Sequence, residues 1–83
     1  MNIYVGNLDY KVDENDLGKI FEEYGSVTET KIITDKYSGR SKGFGFVTIE
    51  NNSEAEKAIS ELNGTKLIDR EIVVNEARQR KQY

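Results

Sequence analysis

Cysteine and histidine are both absent from this 83-residue chain, and the two absences remove much of protein chemistry at once. Without cysteine there are no disulfides and no thiolate metal sites, so a helix and sheet core must hold the fold unaided. Without histidine the chain lacks the commonest general base and the commonest transition-metal ligand, and no acid-base pair at a supporting spacing replaces it. An enzyme is therefore not expected, and no cofactor or metal ion is implied. Long apolar runs are missing too. Nothing approaches the length of a membrane span or a signal peptide, which leads us to expect a cytoplasmic protein without membrane contact. The chain is long enough for one small core and too short for two domains.

Positive charge is also in short supply, with 12 Lys and Arg against 15 Asp and Glu for a net −3. That balance argues against a nucleic-acid binder only if charge is spread evenly, and it is not. Residues Asp9 to Glu29 hold seven acids and two bases, and Phe46 to Ala77 hold seven acids and three bases. Between them, Thr30 to Gly45 holds four bases and one acid, and Arg78, Arg80 and Lys81 add a second basic stretch. The position of charge decides whether a phosphate backbone is attracted locally, so the central stretch and the tail are where an anion would be met. A charge run on a merely solvated face is the plainer alternative.

Hydrophobic periodicity gives the order of elements. Asn2 to Gly6 is short, β-branched and aromatic, and reads as a strand. Asp13 can cap a helix whose Leu17, Ile20, Phe21 and Tyr24 fall at i, i+3, i+4 and i+7, with Gly25 beyond its end. Asp13-Glu14-Asn15-Asp16 does not read as a calcium loop, because Leu17 and Tyr24 stand where oxygen ligands are needed. Val27 to Thr34 is a second strand, Asp35 to Ser41 a turn-rich loop, and Lys42 to Ile49 a third strand. Ser53-Glu54-Ala55-Glu56 has the spacing of a capping box for a second helix with Ala55, Ala58, Ile59 and Leu62 on one face, stopping at Asn63-Gly64. Residues 67–71 suggest a small hairpin leading into a last strand in which Ile72 and Val74 share a face. The order β-α-β-β-α-β predicts an α+β fold of the ferredoxin-like kind, a four-stranded antiparallel sheet with both helices on one side.

One sheet face is then uncovered, and the third strand shows what it carries. Side chains alternate, so Lys42, Phe44, Phe46 and Thr48 point one way and Gly43, Gly45, Val47 and Ile49 the other. Burying the phenylalanines would put Lys42 on the core side and expose Val47 and Ile49. Burying Val47 and Ile49 keeps Lys42 in water and lets a helix approach Gly43 and Gly45 closely. The second arrangement costs less and leaves two aromatic rings outside, where about 25 cal/mol per Å² of apolar burial has not been collected within the chain. Strand one repeats it: Ile3 and Val5 go inward, Tyr4 outward with Asn2 and Gly6. Three outward rings beside Lys42 suit unstacked bases and their phosphates, at ~1–3 kcal/mol per stacked base. The rival readings are a face covered by the tail or by a second subunit, and a protein-interaction module that docks by this face or by acidic helix faces bearing Glu22, Glu23, Glu54 and Glu61.

Lys42-Gly43-Phe44-Gly45-Phe46-Val47-Thr48-Ile49 resembles the octamer of the RNA-recognition motif family, Lys/Arg-Gly-Phe/Tyr-Gly/Ala-Phe-Val-x-Phe/Tyr, at every specified position but the last. Ile3-Tyr4-Val5-Gly6-Asn7-Leu8 looks like the family's hexamer. The first six residues of the octamer would arise by chance on the order of once in a million positions. The resemblance implies a strand order 4-1-3-2 and a single-stranded RNA ligand, with single-stranded DNA as the alternative. It implies that Tyr4 and Phe46 stack on successive bases, that Phe44 packs on sugars and that Lys42 meets phosphate. Glu29, Lys31 and Ile33 of the second strand and Val73 and Asn75 of the last would line the periphery. Asn75 to Arg78, Ala77 included, would contact base edges, and Asn2 and Arg40 complete the candidate RNA-binding set. Ile49 replaces the family's final aromatic at a core position. The resemblance covers Asn2 to about Arg78, so we expect a domain over residues 1–78 with a basic tail over 79–83. It is similar to the compact single-domain RNA-binding proteins of bacteria and is expected to be a monomer.

Overall fold

The first strand turns Ile3 and Val5, the third Val47 and Ile49, and the last Val74 to one side of the sheet, and burying those β-branched side chains is what assembles the two layers. The computed structural model describes residues 1–77. The elements run β1 (Asn2–Gly6), α1 (Glu14–Glu22), β2 (Val27–Thr34), β3 (Ser41–Ile49), α2 (Asn52–Leu62), β4 (Lys66–Leu67), β5 (Arg70–Glu71) and β6 (Val73–Glu76). Four of them form one antiparallel sheet in the order β2-β3-β1-β6, and β4 pairs with β5 as a separate two-stranded hairpin. The order agrees with the one implied by the resemblance, with β6 as the last strand of the sheet.

Ile3, Val5, Val47, Ile49 and Val74 line the covered face, and Leu17 and Phe21 of α1 with Ala55, Ala58 and Leu62 of α2 close over them. Phe21 is the largest fully buried side chain. A side chain of that kind contributes roughly 1.5–3 kcal/mol by leaving water, so this one layer supplies most of what opposes chain entropy.

Both helices start on a side-chain cap. Asp13 accepts a hydrogen bond from the Asp16 N–H (2.8 Å), and the Asp16 carboxylate accepts one in return from the Asp13 N–H (3.3 Å). The reciprocal pair satisfies two otherwise orphaned donors. The second helix begins earlier than the Ser53 capping box predicts. Asn51 is its N-cap and accepts from the Glu54 N–H at 3.0 Å, so Ser53 lies inside the first turn. Asparagine caps at least as well as serine, and the one placed to reach the third helical N–H takes the role. α1 also ends before Tyr24, which packs half-buried against the core from the following turn. Asn63 stops α2 and uses its side chain to accept the Val74 N–H at 3.0 Å, tying the helix end to β6.

The glycines of β3 make room first for their neighbours beside the strand: the nearest atoms a Cβ would meet belong to β2 at Gly45 and to the loop after β1 at Gly43. A Cβ on Gly45 would press on the Lys31 carbonyl oxygen and come within 3.1 Å of Ile32 Cα, both on the neighbouring strand β2. Gly43 has φ +87°, a conformation that favours glycine, and lies where the β2–β3 register shifts between Ile32 and Thr34. Gly18 of α1 lets its helix lie close to β2, since a Cβ there would sit 3.2 Å from Thr30 Oγ1.

Candidate nucleic-acid interface

Register turns the alternation of single strands into a surface. Tyr4 pairs with Phe46 across β1 and β3, Phe46 with Lys31 across β3 and β2, and Tyr4 with Asn75 across β1 and β6. Lys31, Phe46, Tyr4 and Asn75 thus form one row across all four strands, on the face opposite the helices. A neighbouring row holds Asn2 and Thr48, which are partners in register and linked by a 2.9 Å hydrogen bond from Thr48 Oγ1 to Asn2 Oδ1. On the other side of the aromatic row, Val73 pairs with Gly6.

The three rings meet as a cluster. Centroid separations are 5.9 Å for Tyr4 and Phe46, 6.1 Å for Tyr4 and Phe44, and 6.3 Å for Phe44 and Phe46. The interplanar angles of 65°, 33° and 89° are edge-on and tilted arrangements. Such pairs add about 0.5–1.5 kcal/mol beyond area burial, so the rings brace one another and are presented in a fixed arrangement. All three are half-buried, which is less open than strand alternation alone suggests. Gly6 shapes the cluster as well: a Cβ there would come within 2.8 Å of Tyr4 Cε2, so the tyrosine lies along the sheet only because position 6 carries no side chain.

Cations border the cluster on the β2–β3 side. Lys31 and Lys42 are exposed, and Arg40 is exposed in the loop just before β3. That loop is built around Asp35, whose carboxylate accepts from the Tyr37 N–H at 2.8 Å and the Ser38 N–H at 3.1 Å. Those two bonds, Tyr37 first, with the charge of Lys42, hold the Asp35 carboxyl below the usual carboxylate range. The Asp35 N–H donates to the Arg40 carbonyl at 2.7 Å and Gly39 takes φ +73°, which closes the turn and sets Arg40 beside Lys42.

Of the residues singled out in the sequence, Tyr4, Phe44 and Phe46 come together, with Lys42, Lys31 and Arg40 at one edge. Ile33 is half-buried on β2 next to the core-facing Ile32, and Val73 and the exposed Asn75 lie on the β6 side. Ala77 donates its N–H to the Asn2 carbonyl at 2.8 Å, just past β6. Arg78 and the tail 79–83 lie outside the described residues.

Two side chains beside the platform were not singled out in the sequence, Tyr10 and Arg70. Tyr10 is 66% exposed, and the Arg70 guanidinium lies over its ring, 5.7 Å from the centroid. An aromatic ring inside the polar run Asp9-Tyr10-Lys11 was the available signal for the first. For the second there was none, because sixty residues separate it from its partner.

Residues 3–73 match the RNA recognition motif family model. RbpE of Nostoc sp. is 48% identical over 82 residues, spanning 99% of this chain and 83% of its own length. RbpA of Synechocystis sp. is 48% identical over 80 residues, spanning 96% and 79%. Among solved structures, RNA binding protein PG1 superimposes with a TM-score of 0.93 at 48% identity, covering 99% of both chains. The Sxl-lethal protein, solved as a complex with RNA, gives a TM-score of 0.87 at 36% identity over 92% of this chain and 47% of that one. Fold, motif strands and relatives all agree: this chain is a member of the RNA-recognition motif family, an RNA-binding protein and not an enzyme.

Proposed function

We propose that a single strand of RNA crosses the open sheet face, with successive bases stacked on Tyr4 and Phe46 and a sugar packed on Phe44. Lys42, Arg40 and Lys31 meet phosphates along the β2–β3 edge. Asn2, Ile33, Val73, Asn75 and Ala77 border the strand, and residues 75–77 contact base edges. The observation that carries this reading is the cluster of three rings within 6.3 Å of one another on the face that no helix among the described residues covers. Single-stranded bases suit it because every base has a π-face, and stacking supplies affinity without demanding one sequence. Similarity to a protein solved with RNA supports the same choice of ligand.

The domain extends over residues 1–78, with 79–83 as a basic tail, and it works in the cytoplasm as a monomer. A face-to-face dimer would hide the rings the reading depends on. No helix among the described residues is long and apolar enough to cross a membrane.

Titration with a random single-stranded RNA pool tests the proposal. Phe44→Ala and Phe46→Ala should each weaken binding by ~1–3 kcal/mol. Unchanged affinity in both variants would reject the platform, and tighter binding of a matched DNA pool would make single-stranded DNA the ligand.

A further inference from the structure

The platform continues into an open groove of about 880 Å³ between Phe44 and the loop that follows β1. Tyr10, Asp35, Ser38, Arg40, Lys42 and Phe44 are among its lining residues. The volume is within the range of sites that hold small organic ligands, roughly 300–1,000 Å³.

Tyr10 is held in place there by its surroundings. The Leu8 N–H donates to the Gly43 carbonyl at 2.8 Å, the Lys11 N–H to Asp9 Oδ1 at 2.9 Å and the Val12 N–H to the Asp9 carbonyl at 3.0 Å. Asn7, in the left-handed region with φ +55°, donates from its side chain to the Glu71 carbonyl at 2.7 Å and ties this turn to β5. Arg70 of β5 then reaches the same place, with Nη1 3.5 Å from Asn7 Oδ1 and its guanidinium over the Tyr10 ring. The same turn lies against β3 at Gly43, where a Cβ would be in ordinary contact with Leu8 O at 3.4 Å and Tyr10 Cε1 at 3.7 Å.

An aromatic ring two-thirds exposed, braced by a hydrogen-bonded turn and unused by the core, is a surface built to be covered. Its neighbours say by what. Arg40, Lys42 and Arg70 give the surroundings three positive charges, and both the ring and the guanidinium plane can cover a base. Asp35, the one acid lining the groove among the described residues, already accepts two backbone N–H bonds. Tyr37 makes a useful contrast. It is 88% exposed on the β2–β3 loop with Lys36 over its ring, but it does not line the groove.

We infer that Tyr10 and Arg70 form an additional nucleotide subsite, in which one more base of the bound RNA stacks beyond the three-ring platform while Arg40 and Lys42 hold its phosphate. This subsite rests on the RNA-binding reading above and lengthens the footprint of that same strand.

Random RNA pools three and six nucleotides long separate the two ideas, with thermal melts checking that each variant is folded. The wild type should bind the longer pool more tightly. Tyr10→Ala should lose about 5- to 30-fold on the longer pool and keep wild-type affinity for the shorter one, and Tyr10→Trp should restore the difference. Arg70→Gln should reduce the same length-dependent gain. Tyr10→Ala binding both pools like the wild type, or losing equally on both, would overturn the subsite. Phe46→Ala run in parallel should weaken both lengths; if it weakens neither, the platform itself fails, which distinguishes that result from a failure confined to Tyr10.

Discussion

The two faces of the central sheet are built from the same strands and do opposite things. On the covered face, Ile3, Val5, Val47, Ile49 and Val74 are sealed from water by α1 and α2. On the open face, one residue along in each motif strand, Tyr4, Phe44 and Phe46 lean on one another and remain half-accessible. Apolar area on the first face has already contributed its transfer free energy to folding. On the second, part of it is still in water and available to a ligand. Neighbouring residues of one strand therefore divide between stability and affinity, and a one-residue slip in register would exchange the two roles.

The contrast can be broken first at its covered side. Phe21→Ala should remove ~3–5 kcal/mol of stability by opening a cavity under the sheet, measured by urea denaturation, and any RNA effect should follow the folded fraction alone. The sharpest comparison sets Val47→Ala against Phe46→Ala, adjacent residues on opposite faces. The valine variant should lose roughly 1–3 kcal/mol of stability and retain RNA affinity once folded. Phe46→Ala should instead lose its ~1–3 kcal/mol from binding and a smaller amount from folding, since its ring also braces Tyr4 and Phe44. Matching urea midpoints and RNA affinities for the two variants would erase the distinction between the faces.

Smaller effects sharpen the open side. Gly6→Ala should push the Tyr4 ring from its place along the sheet and weaken RNA binding by about 1 kcal/mol, with the fold retained, as read by titration and by the ring resonances of Tyr4. The smallest effect is on the loop that carries Arg40. Asp35 has a folded pKa below its unfolded value, so its contribution to the turn is fully present above the ordinary carboxylate range, about pH 3.9. It is lost as pH falls through the lower folded value. Amide exchange at Tyr37 and Ser38 should stay slow from neutral pH down to the ordinary carboxylate range, after allowing for the intrinsic pH dependence of exchange, and lose protection below it.

Most of this division is legible in the sequence because it depends on period two. Val47 and Ile49 against Phe44 and Phe46 fixes which side of β3 meets the helices, and β1 repeats the same choice with Ile3, Val5 and Tyr4. Less legible is anything that depends on what stands beside a residue in space. Gly45 reads as room for a helix, yet its neighbour is the backbone of β2, because alternation gives the face and says nothing about lateral spacing within the sheet. The start of α2 is similar: Asn51 and Ser53 are both good caps, and the turn after β3 decides between them. Gly6 and the pairing of Tyr10 with Arg70 escape for the same reason. The first depends on a rotamer of Tyr4, and the second on a turn that brings together residues far apart in the chain.

Chemical-shift mapping of the folded protein with a short random single-stranded RNA pool tests the outward face most directly. Ring signals of Tyr4, Phe44 and Phe46 should move and broaden, while methyl signals of Leu17, Ala55 and Ala58 beneath the sheet stay put. Unmoved ring signals, or shifts confined to the acidic helix faces at Glu22, Glu23, Glu54 and Glu61, would contradict a base-stacking surface and favour a docking module for another protein.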